Sequence, residues 1–293
     1  FIIIFKTLKT HYIIMIISYN IGGLANRMKA ISSGYRLSEY KNRDMKIKWD
    51  ILDNYEKHTH ILNCPFNRLF KNDNIIHDGT NINNIKCEIY TSHCLAILES
   101  DNIPYNFNNF NSNCNKQFTK SDKHNRNIDF MYNKIPKEIK MEYIEYFKKL
   151  RPIETIQNNI DIFSKKFTTN TISLHIRSWN RNGEGGRRSG LYNLNKYLDV
   201  MDRYNETYIF YLSTDSQEVK DILLMNEKYK DRILVYPRKT NLDKSRDYPD
   251  GVIDDLTELY LLSKNKIIIG SHFSTFTEVA WYLAECPDDI IIV

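Results

Sequence analysis

This sequence predicts an α/β protein made of two Rossmann-like domains with parallel sheets, and three observations predict it. From Thr171 onward, short apolar runs alternate with single helical stretches, the pattern of a doubly wound parallel sheet. Near the start, the run Ile13 to Ser18, a glycine pair, a helical stretch and the run Met45 to Trp49 make a βαβ unit. Between these two regular parts lies a long polar stretch without periodicity, followed by two helices that read as a bridge. The expected division is 15–150 for an amino-terminal and 151–293 for a carboxyl-terminal Rossmann-like domain.

Composition narrows the class. The chain has 293 residues, 42% of them hydrophobic, which is globular and long enough for two ordinary domains. Its formal net charge of +5, from 41 basic against 36 acidic residues, is a mild surplus; a nucleic-acid partner would call for a denser basic stripe. The 20 tyrosines and 14 phenylalanines suit core and sheet positions. Five cysteines, Cys64, Cys87, Cys94, Cys114 and Cys286, form no CxxC pair and are odd in number, so a zinc site is not expected; four of them fall in the first half, which leaves a disulfide pair in a secretory compartment as the alternative to reduced thiols. No charged-then-apolar leader is apparent, and a reducing, cytoplasmic location is the expectation. The FIIIF and IIMII runs are too short to span a bilayer, which takes roughly 20 apolar residues, and Lys6, Lys9 and His11 separate them. Met15 stands directly before IISYNIGG, so residues 1–14 are kept out of the fold argument. The chain stops inside the apolar run Ile290 to Val293, and a further C-terminal segment is expected.

In order, Ile13 to Ser18 reads as a strand buried on both faces, bounded by Asn20, Gly22 and Gly23. Lys29 to Tyr40 follows at helical intervals. Gly22 and Gly23 permit close approach of a ligand to the backbone or simply make a tight turn, and Asn26 and Arg27 fall where the first helical turn would offer donors to an anion. From Asp50 to Asn133 the sequence is Asn-rich; His58 and His60 have no third ligand in view, and the stretch around Asn106 to Lys116 is low in complexity. Helices are expected over Lys137 to Leu150 and Ile153 to Phe167. Then come strand 171–176, helix Leu194 to Tyr204, strand Tyr208 to Leu212, helix Gln217 to Asn226 and strand Arg232 to Val235. After a loop of charges follow helix Ile253 to Ser263, strand Lys266 to Ile269, helix Thr275 to Leu283 and strand Asp289 to Ile292.

Three loops at the carboxyl ends of these strands carry chemistry. His175 and Arg177 lead into a glycine-rich loop with Arg181, Glu184, Arg187 and Arg188; Ser213-Thr214-Asp215-Ser216 follows the next strand; and Gly270-Ser271-His272-Phe273-Ser274-Thr275-Phe276 follows a third. In a parallel sheet they lie along one edge, where a guanidinium, hydroxyls and a helix amino end converge on an anion. Asp215 and Ser274 are also good helix N-caps, worth about 1 kcal/mol with no ligand at all. Asp254-Asp255 comes closest to a paired-carboxylate metal motif, but it suits a helix amino terminus, where the dipole favours carboxylates.

The order His175-x-Arg177, Ser213-Thr214-Asp215, Glu258 to Ser263, then Ile269-Gly270-Ser271 and Phe273 to Phe276, with GGLANRM in the first loop, resembles the motifs of the GT-B-fold, GDP-fucose-dependent fucosyltransferase superfamily. That group comprises the α1,6-, α1,2- and protein O-fucosyltransferases and the nodulation-type enzymes. The resemblance implies an inverting, metal-independent transferase with GDP-fucose as donor substrate, no resident cofactor and a glycan or glycoprotein acceptor. It implies that Arg177 contacts the β-phosphate and stabilises the leaving nucleotide, with His175 beside it. Ser271 and the Ser274-Thr275-Phe276 turn would hold phosphate and ribose, and Asp215 would support the nucleotide pocket. Where the family commonly has an aspartate reading the guanine edge, this chain has Glu258. The family's frequent acid soon after the arginine is replaced by Asn180, leaving Glu184 as the carboxylate able to serve as base. Two rivals stand: a GT-B transferase using another nucleotide sugar, and a non-catalytic nucleotide- or carbohydrate-binding protein of the same fold.

Overall fold

The computed structural model describes residues 15–19, 22–51, 62–72, 75–76, 87–90, 137–178, 192–242, 245–272 and 274–293. Within them the first sheet holds β1 (Met15–Tyr19), β2 (Met45–Lys48), β4 (Ile75–Ile76) and β5 (Cys87–Tyr90), in the order β4-β2-β1-β5 and parallel throughout. Helix α1 (Leu24–Lys41) links β1 to β2. It ends at Asn42 in the left-handed conformation, φ 49°, one of the few side chains that tolerate it. Gly34 lets α1 lie flat on the sheet: a Cβ there would stand 2.7 Å from Met45 Sδ and 3.1 Å from Ser18 Cβ. Cys87 to Tyr90, a patch to which the sequence assigns no element, is the strand that closes this sheet on the far side of β1.

Two helices bridge the halves, α2 (Lys137–Lys148) and α3 (Glu154–Ser164). Between them β6 (Arg151–Pro152) pairs antiparallel with β3 (Phe70–Lys71), so the chain is stitched across the expected boundary at 150 and 151. The second sheet contains β7 (Thr171–Ile176), β8 (Ile209–Thr214), β9 (Ile233–Val235), β10 (Ile268–Gly270) and β11 (Ile290–Ile292), in the order β11-β10-β7-β8-β9 and all parallel. Its helices are α4 (Leu194–Met201), α5 (Gln217–Met225), α6 (Pro249–Leu262) and α7 (Thr275–Leu283).

Strand β7 shows why this half folds as it does. All six of its residues are buried, so both faces are covered. Ile172, Leu174 and Ile176 join Phe210 and Leu212 of β8 against α4 and α5, each burial worth about 1.5–3 kcal/mol. Thr171, Ser173 and His175 face the other way, and each finds a polar partner: Thr171 Oγ1 accepts from Thr168 N–H, Ser173 Oγ donates to Leu262 O at 2.6 Å, and His175 meets Thr277. The core on that side is continuous with the first sheet, running from Ile16, Met28 and Ile31 through Tyr143 and Phe147 to Leu259, Val279 and Tyr282.

Candidate functional site

Both sheets reverse their winding direction beside their first strand. In the second, the chain goes β7, β8, β9 to one side and then crosses to β10 and β11 on the other; in the first, β2 and β4 lie on one side of β1 and β5 on the other. Such switch points leave a crevice at the carboxyl ends of the strands, where ligands of open α/β sheets bind. The crevice of the second sheet lies between His175-Ile176-Arg177 and Gly270-Ser271. That of the first is bordered by Gly22 and Gly23.

Arg177 is held from two directions. Its main-chain N–H donates to Ser271 Oγ at 2.6 Å, and its guanidinium pairs with Asp215 Oδ2 at 2.8 Å. Asp215, at the end of β8, also accepts from the Ser178 N–H at 2.7 Å. Ser271 is the pin of this corner, accepting from Tyr197 Oη at 2.7 Å as well and donating to the His175 carbonyl at 3.0 Å. One hydroxyl offers one donor and two acceptor positions, so all of its capacity goes into fixing the loop. Asp215 and Ser271 thus act on Arg177: Asp215 in the supporting place expected of it, and Ser271 on the backbone of the arginine.

His175 is 4% exposed, lies 2.7 Å through Nδ1 from Thr277 Oγ1 and stacks on Phe276 with ring centroids 5.1 Å apart. Burial pushes its pKa down to about 3, so it is a neutral imidazole and brings no positive charge to an anion. In the turn before α7, Ser274 is committed to its helix, its Oγ accepting from the Thr277 N–H. Thr275 is half-buried and has no side-chain hydrogen-bond partner among the described residues. Its hydroxyl is available to a ligand.

Glu258 sits one layer deeper, 5% exposed, its Oε2 accepting from Ser213 Oγ at 3.0 Å and pairing with Arg238 at 2.9 Å. Burial raises its pKa to about 7, against the opposing pull of Arg238. Arg238 is a site residue that sequence reasoning missed. It also donates to Asp255 at 2.6 Å, while Lys239 and Thr240 N–H groups donate to Asp254 at 2.8 and 3.2 Å. The expected role of Asp254 and Asp255 is therefore corrected: α6 begins at Pro249, four residues before the predicted Ile253, and these carboxylates lie beyond its first turn and fasten the charged loop after β9. Asp254, Asp255 and Glu258 at i, i+1 and i+4 on one helix were the signal that a cation would answer them.

In the first sheet's loop, Gly23 is the N-cap of α1, extended at φ −63° and ψ 169°, and no acid lies in the first turn. Asn26 is half-buried there. Arg27 is placed otherwise than its position in the first turn suggested. It is 1% exposed, donates to the carbonyls of Gly22 at 2.8 Å and Asp50 at 2.9 Å, and lies 4.7 Å over the Trp49 ring. It therefore fixes the glycine loop from within. Over Gly23 comes Arg246 from the other half, its guanidinium 3.5 to 3.9 Å from where a Cβ would stand. Asn63 ties that crossing down by donating to the carbonyls of Arg246 at 2.9 Å and Asp247 at 2.8 Å.

Glu184, with Arg181, Arg187, Arg188 and Phe273, lies outside the described residues. Among the described residues no three His, Cys, Asp or Glu side chains are grouped to hold a metal ion, and no helix is long and apolar enough to cross a membrane.

No family model and no curated protein matches the chain. Its fold does match solved structures. A crystal structure of NodZ alpha-1,6-fucosyltransferase soaked with GDP-fucose aligns over 92% of both chains, with a TM-score of 0.50 and 13% identity. One of POFUT1 in complex with GDP-fucose aligns over 97% of this chain and 98% of that one, with a TM-score of 0.52 and 11% identity. The two-sheet GT-B architecture expected from the sequence is thus the architecture of the chain, shared over nearly its whole length with fucosyltransferases.

Proposed function

We propose that this protein is an inverting glycosyltransferase that moves fucose from GDP-fucose to a hydroxyl of a glycan or glycoprotein. The observation that carries the reading is the seat of Arg177 at the switch point of the second sheet, clamped through its backbone by Ser271 and through its guanidinium by Asp215. Departure of GDP from the fucosyl carbon passes through an oxocarbenium-like state in which negative charge gathers on the diphosphate. A preorganised guanidinium stabilises that charge without reorganising as it forms. Neutral His175 and the Thr275 hydroxyl complete the polar edge of the site. The acceptor loses a proton to a base, for which Glu184 is the carboxylate the sequence offers.

A second reading, the same chemistry with another nucleoside, is favoured by one observation. The carboxylate at the guanine-reading position is one carbon longer than the family's aspartate, and its Oε2 is taken by Arg238 and Ser213. Calorimetric titration of the wild type and Arg177→Ala with GDP, UDP and ADP decides. The reading expects GDP alone to bind, with Arg177→Ala weaker by about 1.5–3 kcal/mol, the worth of a hydrogen bond to a charged group. Preference for UDP or ADP removes the fucose assignment and keeps the fold. Binding of none removes the enzyme reading.

A further inference from the structure

One to two turns behind the loops, α1 and α7 meet through a buried ion pair: Lys29 Nζ bonds Glu278 Oε2, with Lys29 4% and Glu278 3% exposed. The pair joins the two halves of the chain, since α1 belongs to the first sheet and α7 to the second. Tyr143 of α2 and Tyr282 of α7 lie within electrostatic reach of Glu278, and its second oxygen, Oε1, is buried with no hydrogen-bond partner among the described residues. A buried pair with one carboxylate oxygen unsatisfied gains little over packed apolar side chains of the same volume, and stability is a poor reason for it. What such a pair does well is fix register, because two buried charges must meet at one rotation and one translation of their helices.

The register matters because of what the helices carry. Lys29 stands five residues into α1 from Leu24, and Glu278 three residues into α7 from Thr275, roughly 7.5 Å and 4.5 Å along the axes at 1.5 Å per residue. The two helix amino ends at Gly23 and Ser274 are the ones that border the proposed donor site. We infer that Lys29 and Glu278 are a positioning pair that sets the spacing of these amino ends, so that the glycine loop of the first sheet and the Ser274 turn of the second meet the nucleotide sugar preformed. This rests on the donor-site reading given above for its consequence in turnover, but not for its consequence in structure.

The decisive variant is the double replacement Lys29→Met/Glu278→Leu, which removes both charges at similar volume and therefore spares folding; Glu278→Gln, which keeps the shape, is the second. Three quantities are measured: the thermal midpoint, kcat and KM with GDP-fucose, and hydrogen exchange of the first-turn amides of α1 and α7. The expected result is a thermal midpoint at or above the wild-type value, with kcat/KM for GDP-fucose reduced by about tenfold or more, since misplacement by an ångström can cost a hundredfold. Faster exchange at both amino ends should accompany it, and Glu278→Gln should show the same changes in smaller degree. Wild-type kcat/KM and exchange in a stable double variant would overturn the inference. If the wild type turns over no GDP-fucose, the transferase reading falls, and exchange at the two helix ends still decides whether the pair sets their spacing.

Discussion

Arg27 and Arg177 both follow the first strand of a parallel sheet at the point where the winding reverses, Arg177 directly after β7 and Arg27 in the first turn of the helix that β1 leads into. Their surroundings part them. Arg27 is 1% exposed and donates through Nε and Nη1 to two main-chain carbonyls, with Trp49 against its face. Arg177 keeps its side chain 12% exposed, and its described charge partner is Asp215, with which an incoming phosphate can share or compete. Topology delivers a guanidinium to the crevice in both sheets; the acceptors within reach decide whether it fixes the loop or faces a ligand.

The largest effect that would break this comparison is on stability. Arg27→Met should cost about 3–5 kcal/mol in denaturant unfolding, because it strips charged donors from two carbonyls in a closed core. Loss of nucleotide affinity with unchanged stability would put Arg27 in the ligand's company instead. Arg177→Ala should do the reverse, lowering turnover by about 10²–10³ while the unfolding midpoint moves little. Next comes Gly270→Ala. Its methyl would stand 2.1 Å from Thr277 Cγ2 and 2.9 Å from Thr277 Oγ1, so a loss of about 1–3 kcal/mol is expected, with His175 and Ser271 released from Thr277.

The smallest effect is a matter of pH and has two opposing parts. His175 has a folded pKa of about 3 against 6.5 unfolded, so its contribution to stability is complete above pH 6.5 and is lost as pH falls from there toward 3. Glu258 has a folded pKa of about 7 against 4.5 unfolded; the fold holds its proton, and its contribution is complete below pH 4.5 and is lost as pH rises through 7. Between pH 4.5 and 6.5 the two nearly cancel, each with a slope of at most about 1.4 kcal/mol per pH unit. Unfolding across that window should show stability falling with rising pH in His175→Gln and rising with it in Glu258→Gln. Equal slopes in both variants would remove these side chains as the source.

The second sheet was legible because its signals are local. Buried parallel strands read as apolar runs, and Ser274 announces the helix it caps, whereas α5 is capped by Ser216, one residue after the expected Asp215, whose carboxylate is taken by Arg177 and Ser178. Helix α6 was begun too late because Pro249-Asp250-Gly251 reads as a turn, although proline fits the first helical position and Gly251 lets Ser245 pack on it, a Cβ there falling 2.1 Å from the Ser245 carbonyl oxygen. Arg177, Asp215 and Ser271 were legible as residues and not as a mutual clamp. Arg238 was not legible, because its partner Asp255 lies 17 positions away with a charged loop between. Lys29 and Glu278 are 249 positions apart, and nothing local in either helix names the other. The first sheet was legible only through β1, α1 and β2; short strands such as Ile75–Ile76 are below the length at which alternation can be read.

The contact between Gly270 and Thr277 also restricts how this sequence can drift. A side chain at 270 needs the space of the Thr277 methyl, yet the Thr277 hydroxyl serves both His175 and the Ser271 N–H. A side chain at 270 is therefore excluded while Thr277 keeps its methyl, and a change at 277 is free of loss at the crevice only where it keeps the hydroxyl, as serine does. Two positions seven apart are therefore coupled under selection, and a collection of related chains should carry a residue larger than glycine at 270 only where 277 is not threonine.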